Sequence, residues 1–262
     1  MNPREWFAVF SHEWRRSLAA KGLFSWIFLI GFPVLIVSLL RYVYHSRDLP
    51  MPLLVTWGSM VFVLIGGFCL MLSLLLTAAP FMQAELEGRR WVYLSVRPGA
   101  KDALLFGKHL YAASRTLLTA TVSLFLCLAI GGFLGETRYI LVMLALITLG
   151  SLAYGAVYIF IGVLIPRRAM VVAVVYSMVE FMVSWIPALI NRLTVQYRLR
   201  SLLFKWMEWD NVSTTGISTN SGFFSEIPWW QHVTVLLGMT VGLLIIASLI
   251  FNRREYLAIR DE

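Results

Sequence analysis

A chain of 262 residues with 59% hydrophobic and 14% charged side chains is too apolar to be one soluble globule, since soluble domains average about 45–50% apolar and about 25% charged residues. Its net charge of +8 admits nucleic acid, anionic lipid or membrane topology as causes, and the placement of the basic residues decides for topology, which leaves no need for a nucleic-acid partner. Cys69 and Cys127 both fall inside apolar runs, which excludes a disulfide framework and a zinc-finger spacing.

Residues 1–21 come first. Trp6, Phe10, Trp14 and Leu18 recur every four residues with Phe7 beside them, while Arg4, Arg15, Arg16 and Lys21 occupy other positions. This pattern predicts an amphipathic surface helix, lying along lipid headgroups or packed on another part of the chain.

Six stretches then offer the roughly 20 mostly apolar residues that a transmembrane helix needs: Gly22–Leu40, Leu53–Ala79, Thr116–Gly135, Tyr139–Ile165, Ala169–Asn191 and Val233–Phe251. All but the fifth lack Asp, Glu, Lys and Arg; the fifth contains Glu180. Pro33 and Pro187 interrupt the first and fifth, which is tolerable where a neighbour satisfies the freed carbonyl. No ten-residue alternation suggests a membrane barrel. The first apolar run begins near Gly22 and is followed by Arg41 and Arg47 in place of a small-residue cleavage site, so it is expected to remain in the mature protein.

Six spans put both termini on one side. Arg4, Arg15, Arg16, Lys21, Arg89, Arg90, Arg97, Lys101, Lys108, Arg115, Arg167, Arg168, Arg253, Arg254 and Arg260 share that side, 15 of the 22 basic residues, and the positive-inside rule makes it cytoplasmic. The expected fold is therefore an all-α membrane protein: an N-terminal amphipathic helix over residues 1–21, then a six-span domain over 22–262 with both termini in the cytoplasm. Pro80–Arg115 forms its largest cytoplasmic loop, with short helical tracts broken at Gly88 and at Pro98-Gly99. Residues 192–231 form a long external segment, helix-like over Val195–Trp209 and then rich in Ser, Thr, Asn and Gly. Asn211-Val212-Ser213 within it matches the short glycosylation acceptor motif.

Chemistry is mostly excluded. His12, His45, His109 and His232 lie at span ends or in loops with no two at ligand spacing. The spans hold no Asp pair, and Ser151 has no intramembrane His to activate it. A phosphate-cradling loop needs G-x-x-x-x-G-K-[ST], yet Gly107-Lys108 is followed by His109, with Asp102 where the first Gly belongs. The chain is thus expected to be non-catalytic, to hold no metal or cofactor, and to draw on ATP only through another subunit. Glu180 is the intramembrane polar candidate. A charge at the bilayer centre costs on the order of 3 kcal/mol, so such a residue faces a bundle interior, either coupling transport or hydrogen-bonding a neighbouring helix.

Glu85-Leu86-Glu87-Gly88, then Val96-Arg97-Pro98, then Phe106-Gly107-Lys108 resembles a pattern in bacterial ATP-binding-cassette exporter permeases of the type-2 class. Val179-Glu180-Phe181, Ile186-Pro187 and Asn191-Arg192-Leu193-Thr194-Val195 are similar to their fifth span and its exit. Where many members carry Thr after the acidic-Gly step, this chain has Arg89-Arg90. The resemblance implies a permease subunit in the bacterial cell membrane, working as a dimer with itself or a related permease and docked by two cytoplasmic ATPase subunits. It points to Glu85, Glu87, Gly88, Trp91 and Arg97 as ATPase-coupling residues. It names no cargo. A non-transport six-span scaffold, assembly factor or sensor is the alternative.

Overall fold

Long charge-free apolar runs become helices because a helix satisfies its own backbone donors and acceptors where water is scarce. The computed structural model describes residues 3–17, 20–47, 53–87, 99–184, 189–209 and 227–254, and among these no strand occurs. The helices are α1 (Pro3–Ser17), α2 (Ala20–Ser46), α3 (Leu54–Phe62), α4 (Leu70–Thr77), α5 (Phe81–Glu87), α6 (Ala100–Gly131), α7 (Thr137–Leu164), α8 (Ala169–Val183), α9 (Val195–Met207) and α10 (Trp229–Arg253). Among the described residues five stretches are long and apolar enough to cross a membrane: Gly22–Ser46, Leu54–Glu87, Ala100–Gly131, Thr137–Leu164 and Trp229–Arg253.

Helix α7 is the central post, with α4, α6, α8, α9 and α10 packed around it. Tyr139, Met143, Ala153, Tyr154 and Tyr158 along it are fully enclosed. The outer helices turn apolar faces outward instead, through Phe24, Ile27 and Leu35 on α2, Val171, Val175 and Met178 on α8, and Val241 and Ile245 on α10. Continuous apolar surface on this scale calls for lipid or a partner helix.

Pro33 does not break α2, which runs without interruption through it. Proline cannot donate to the carbonyl four residues back, here that of Leu29. The Cys69 thiol donates to that carbonyl at 3.6 Å instead, so a neighbour does satisfy it. Cys69 closes a π-helical turn, Val63–Cys69, between α3 and α4, where the Leu70 N–H reaches the carbonyl of Ile65.

Two regions depart from the expected boundaries. The loop Pro80–Arg115 is mostly helix: α5 fills Phe81–Glu87, and α6 starts at Ala100 rather than at Thr116. Hydropathy hides these turns because their charged residues find partners elsewhere in the chain. Asp102 accepts from Ser248 Oγ at 2.6 Å and Asn252 Nδ2 at 2.9 Å, and Arg115 donates to Ser25 Oγ at 2.8 Å.

The fifth stretch, expected as one span over Ala169–Asn191, is broken. Helix α8 has 15 residues, about 22 Å at about 1.5 Å per residue, short of the ~30 Å hydrocarbon core. After a short 3-10 turn at Leu189–Leu193, α9 resumes. Glu180 meets Val195 and Gln196 while Ser184 meets Arg200, so the end of α8 and the start of α9 run side by side in the same direction. At its far end α9 meets the start of α7, where Arg138 donates to the Trp206 carbonyl at 2.8 Å. Expected as part of an external segment, α9 is instead packed into the bundle, with Val195, Leu199, Leu202 and Leu203 fully buried.

Candidate functional site

Two buried carboxylates organise the polar interior, one at each end of the argument about function. The first lies where α1 crosses α6. Gly107 permits that crossing: a Cβ there would stand 2.8 Å from Val9 Cβ and 3.0 Å from the Trp6 carbonyl oxygen. Phe106 stacks on Trp6 at 5.2 Å between ring centroids, and Trp14 meets Tyr111 edge-on at 6.2 Å. Of the two expected settings for the amphipathic helix, packing on the chain itself is the one found, with Phe7 left exposed.

Lys108 completes the crossing. Its Nζ lies 2.8 Å from Glu13 Oε1 on α1 and 3.2 Å from Glu85 Oε1 on α5, and the three side chains are 7%, 11% and 5% exposed. Arg16 stands 4.0 Å from Glu13 at the open edge. One ammonium therefore ties three helices together in a setting where water screens little, and removing one partner of such a group strands a buried charge. All three residues of Phe106-Gly107-Lys108 serve the same contact with α1.

The predicted coupling residues separate. Glu85 is held inside by Lys108. Glu87 is exposed and accepts from Gln83 Nε2 at 2.7 Å. Gly88, Trp91 and Arg97 lie outside the described residues, as do Pro187 and the acceptor motif at Asn211. Sequence reasoning passed over Glu13 and Lys108. A signal existed for Glu13, which falls on the Trp6–Val9 face of α1, where a carboxylate is out of place unless a cation faces it.

The second carboxylate is Glu180, 3% exposed. Its Oε1 accepts from the backbone N–H of Val195 at 2.8 Å and of Gln196 at 3.1 Å, and from Tyr154 Oη at 2.9 Å. Val195 and Gln196 open α9, so Glu180 supplies from α8 the acceptor that an N-terminal cap would ordinarily supply locally, at the positive end of the helix dipole. Thr194 adds a local cap by accepting from the Tyr197 N–H. Glu180 Oε2 is enclosed without a hydrogen-bond partner. The π turn reaches the same place: Phe68 packs on Phe181 at 4.8 Å, and a Cβ on Gly67 would lie 3.2 Å from Gln196 Nε2.

At the other end of α9, Glu208 accepts from Arg138 Nη2 at 2.6 Å, and that hydrogen bond together with the guanidinium charge holds its carboxyl below the ordinary range. Among the described residues no group of three His, Cys, Asp or Glu is placed to share a metal ion. Compared with protein-family models, curated proteins and solved structures, the chain matches none of them.

Proposed function

We propose that this chain is the membrane-spanning permease subunit of an ATP-binding-cassette exporter, driven by a separate ATPase and paired with a second copy or a related permease. In this reading six segments cross the bilayer, the fifth as two half-helices, α8 and α9, that overlap at Glu180. Both termini are cytoplasmic, as the distribution of basic residues favours.

The observation that carries the proposal is the Lys108 triad. An ATPase pressing on residues 88–98 or on α1 needs a stiff path into the spans. Lys108 locks α1 and α5 onto α6, so displacement of either element moves the second and third spans together. Glu85 then acts from inside the lever, while Glu87, Trp91 and Arg97 stand as the contact residues.

The test is co-purification. Isolated from its own membranes, the chain should bring down a soluble ATPase and neither bind nor hydrolyse ATP alone. Trp91→Ala should weaken that docking by about 2 kcal/mol, because central apolar anchors dominate such interfaces. Undiminished capture by a Trp91→Ala/Glu87→Ala double variant would remove the segment from the mechanism. Absence of any ATPase at matched expression would favour a scaffold.

A further inference from the structure

A groove of about 870 Å³ opens on the flank of the triad, walled on one side by α2 and on the other by α4 and α5, with α6 as its floor. Its mouth is apolar: Phe24 and Phe28 on α2 are 74% and 48% exposed, and Leu76 faces them at 37%. Its floor is cationic. Arg115 and Lys108 rise from α6, and Arg16 reaches in from α1.

Lys108 is already matched by Glu13 and Glu85, and Glu13 also lines the groove and leans toward Arg16. Arg115 is different. It is 6% exposed, and its Nε is enclosed without an acceptor. Its Nη2 donates to the neutral Ser25 hydroxyl, and its guanidinium rests over the Trp26 ring at 5.7 Å. Among the described residues no carboxylate forms an ion pair with it. Counting Glu13 and Glu85 against Arg16, Lys108 and Arg115 leaves the groove one positive charge in excess, centred on a guanidinium below an apolar mouth.

We infer that this groove holds one anionic phospholipid, its phosphate between Arg115 and Arg16 and an acyl chain along Phe24 and Phe28. A guanidinium offers forked donors that match phosphate oxygens, and the apolar mouth suits a chain rather than a soluble anion. Through Arg16, the same headgroup would brace α1 beside the Lys108 triad. The inference rests on the membrane reading alone; it requires neither an ATPase nor transport.

The experiment uses the purified full-length chain in nanodiscs, with lipid retention read by native mass spectrometry as phosphatidylglycerol replaces phosphatidylcholine. One phosphatidylglycerol should be retained with about tenfold preference, the scale expected when two basic residues face one headgroup. Arg115→Gln should abolish the preference, and Arg115→Lys should restore part of it. Should Arg115→Gln fail to fold, Arg16→Gln decides, because that side chain is 56% exposed and its loss should cut the preference about threefold. Equal retention of both lipids, or a preference unchanged in the variant that folds, overturns the site. So does full displacement of the lipid by millimolar inorganic phosphate, which would mark a soluble-anion site.

Discussion

Glu85 and Glu180 are both buried carboxylates, and they are stabilised by opposite means. Glu85 shares a lysine with Glu13, so its environment depends on a full charge brought from another helix. Glu180 has no such cation on its hydrogen-bonded oxygen and relies on two backbone N–H groups and a phenol. An ammonium on a flexible stem can follow a moving carboxylate. Backbone donors at a helix start cannot, so the two regions should differ in compliance: the triad can flex as α1 shifts, whereas the Glu180 contact fixes α9 against α8 or releases it altogether.

Four substitutions break or sharpen this contrast, each read by unfolding of the detergent-solubilised chain. Lys108→Met leaves Glu13 and Glu85 facing each other without a cation and should cost about 3–5 kcal/mol, with α1 exchanging its amide hydrogens before the spans do. Replacing all three triad residues by apolar ones should recover most of that loss; if it does not, the charges themselves are required. Glu180→Leu strands two donors at the start of α9 and should cost about 2–4 kcal/mol, while Glu180→Gln, which keeps an acceptor, should cost clearly less. Equal losses for Leu and Gln would show that the negative charge, not the acceptor, holds α9.

Gly107→Ala forces a methyl group against Val9 and the Trp6 backbone and should cost about 1–3 kcal/mol, confined to α1. Normal protection of α1 in that variant would refute the tight crossing. Smallest is Tyr154→Phe, which removes one of three donors to Glu180 and should cost about 1 kcal/mol.

Helices α2, α7 and α10 were legible because nothing in their sequence competes with the apolar run. The first turns of α6 were not. Lys101, Asp102, Lys108 and Arg115 read as a solvated loop until Ser25, Glu13, Glu85 and Ser248, all distant in sequence, are brought beside three of them. The burial of α9 was hidden in the same way, since Gln196, Arg198 and Arg200 mask a stripe of Leu199, Leu202 and Leu203. Glu85 and Glu180 could both be singled out as residues. Which way Glu85 faced, and what Glu180 held, depended on partners that no local pattern reveals.

The π turn at Val63–Cys69 also sets an angle. Such a turn accommodates an extra residue within a helix, and each residue rotates an α-helix by about 100°. Everything that follows it, Glu85 included, is therefore clocked by that insertion. Deleting one residue there would leave the apolar composition of the segment almost untouched, yet it would swing Glu85 about 100° away from Lys108. The orientation of the lever is set halfway along the helix that carries it, at the point where Cys69 also holds α2.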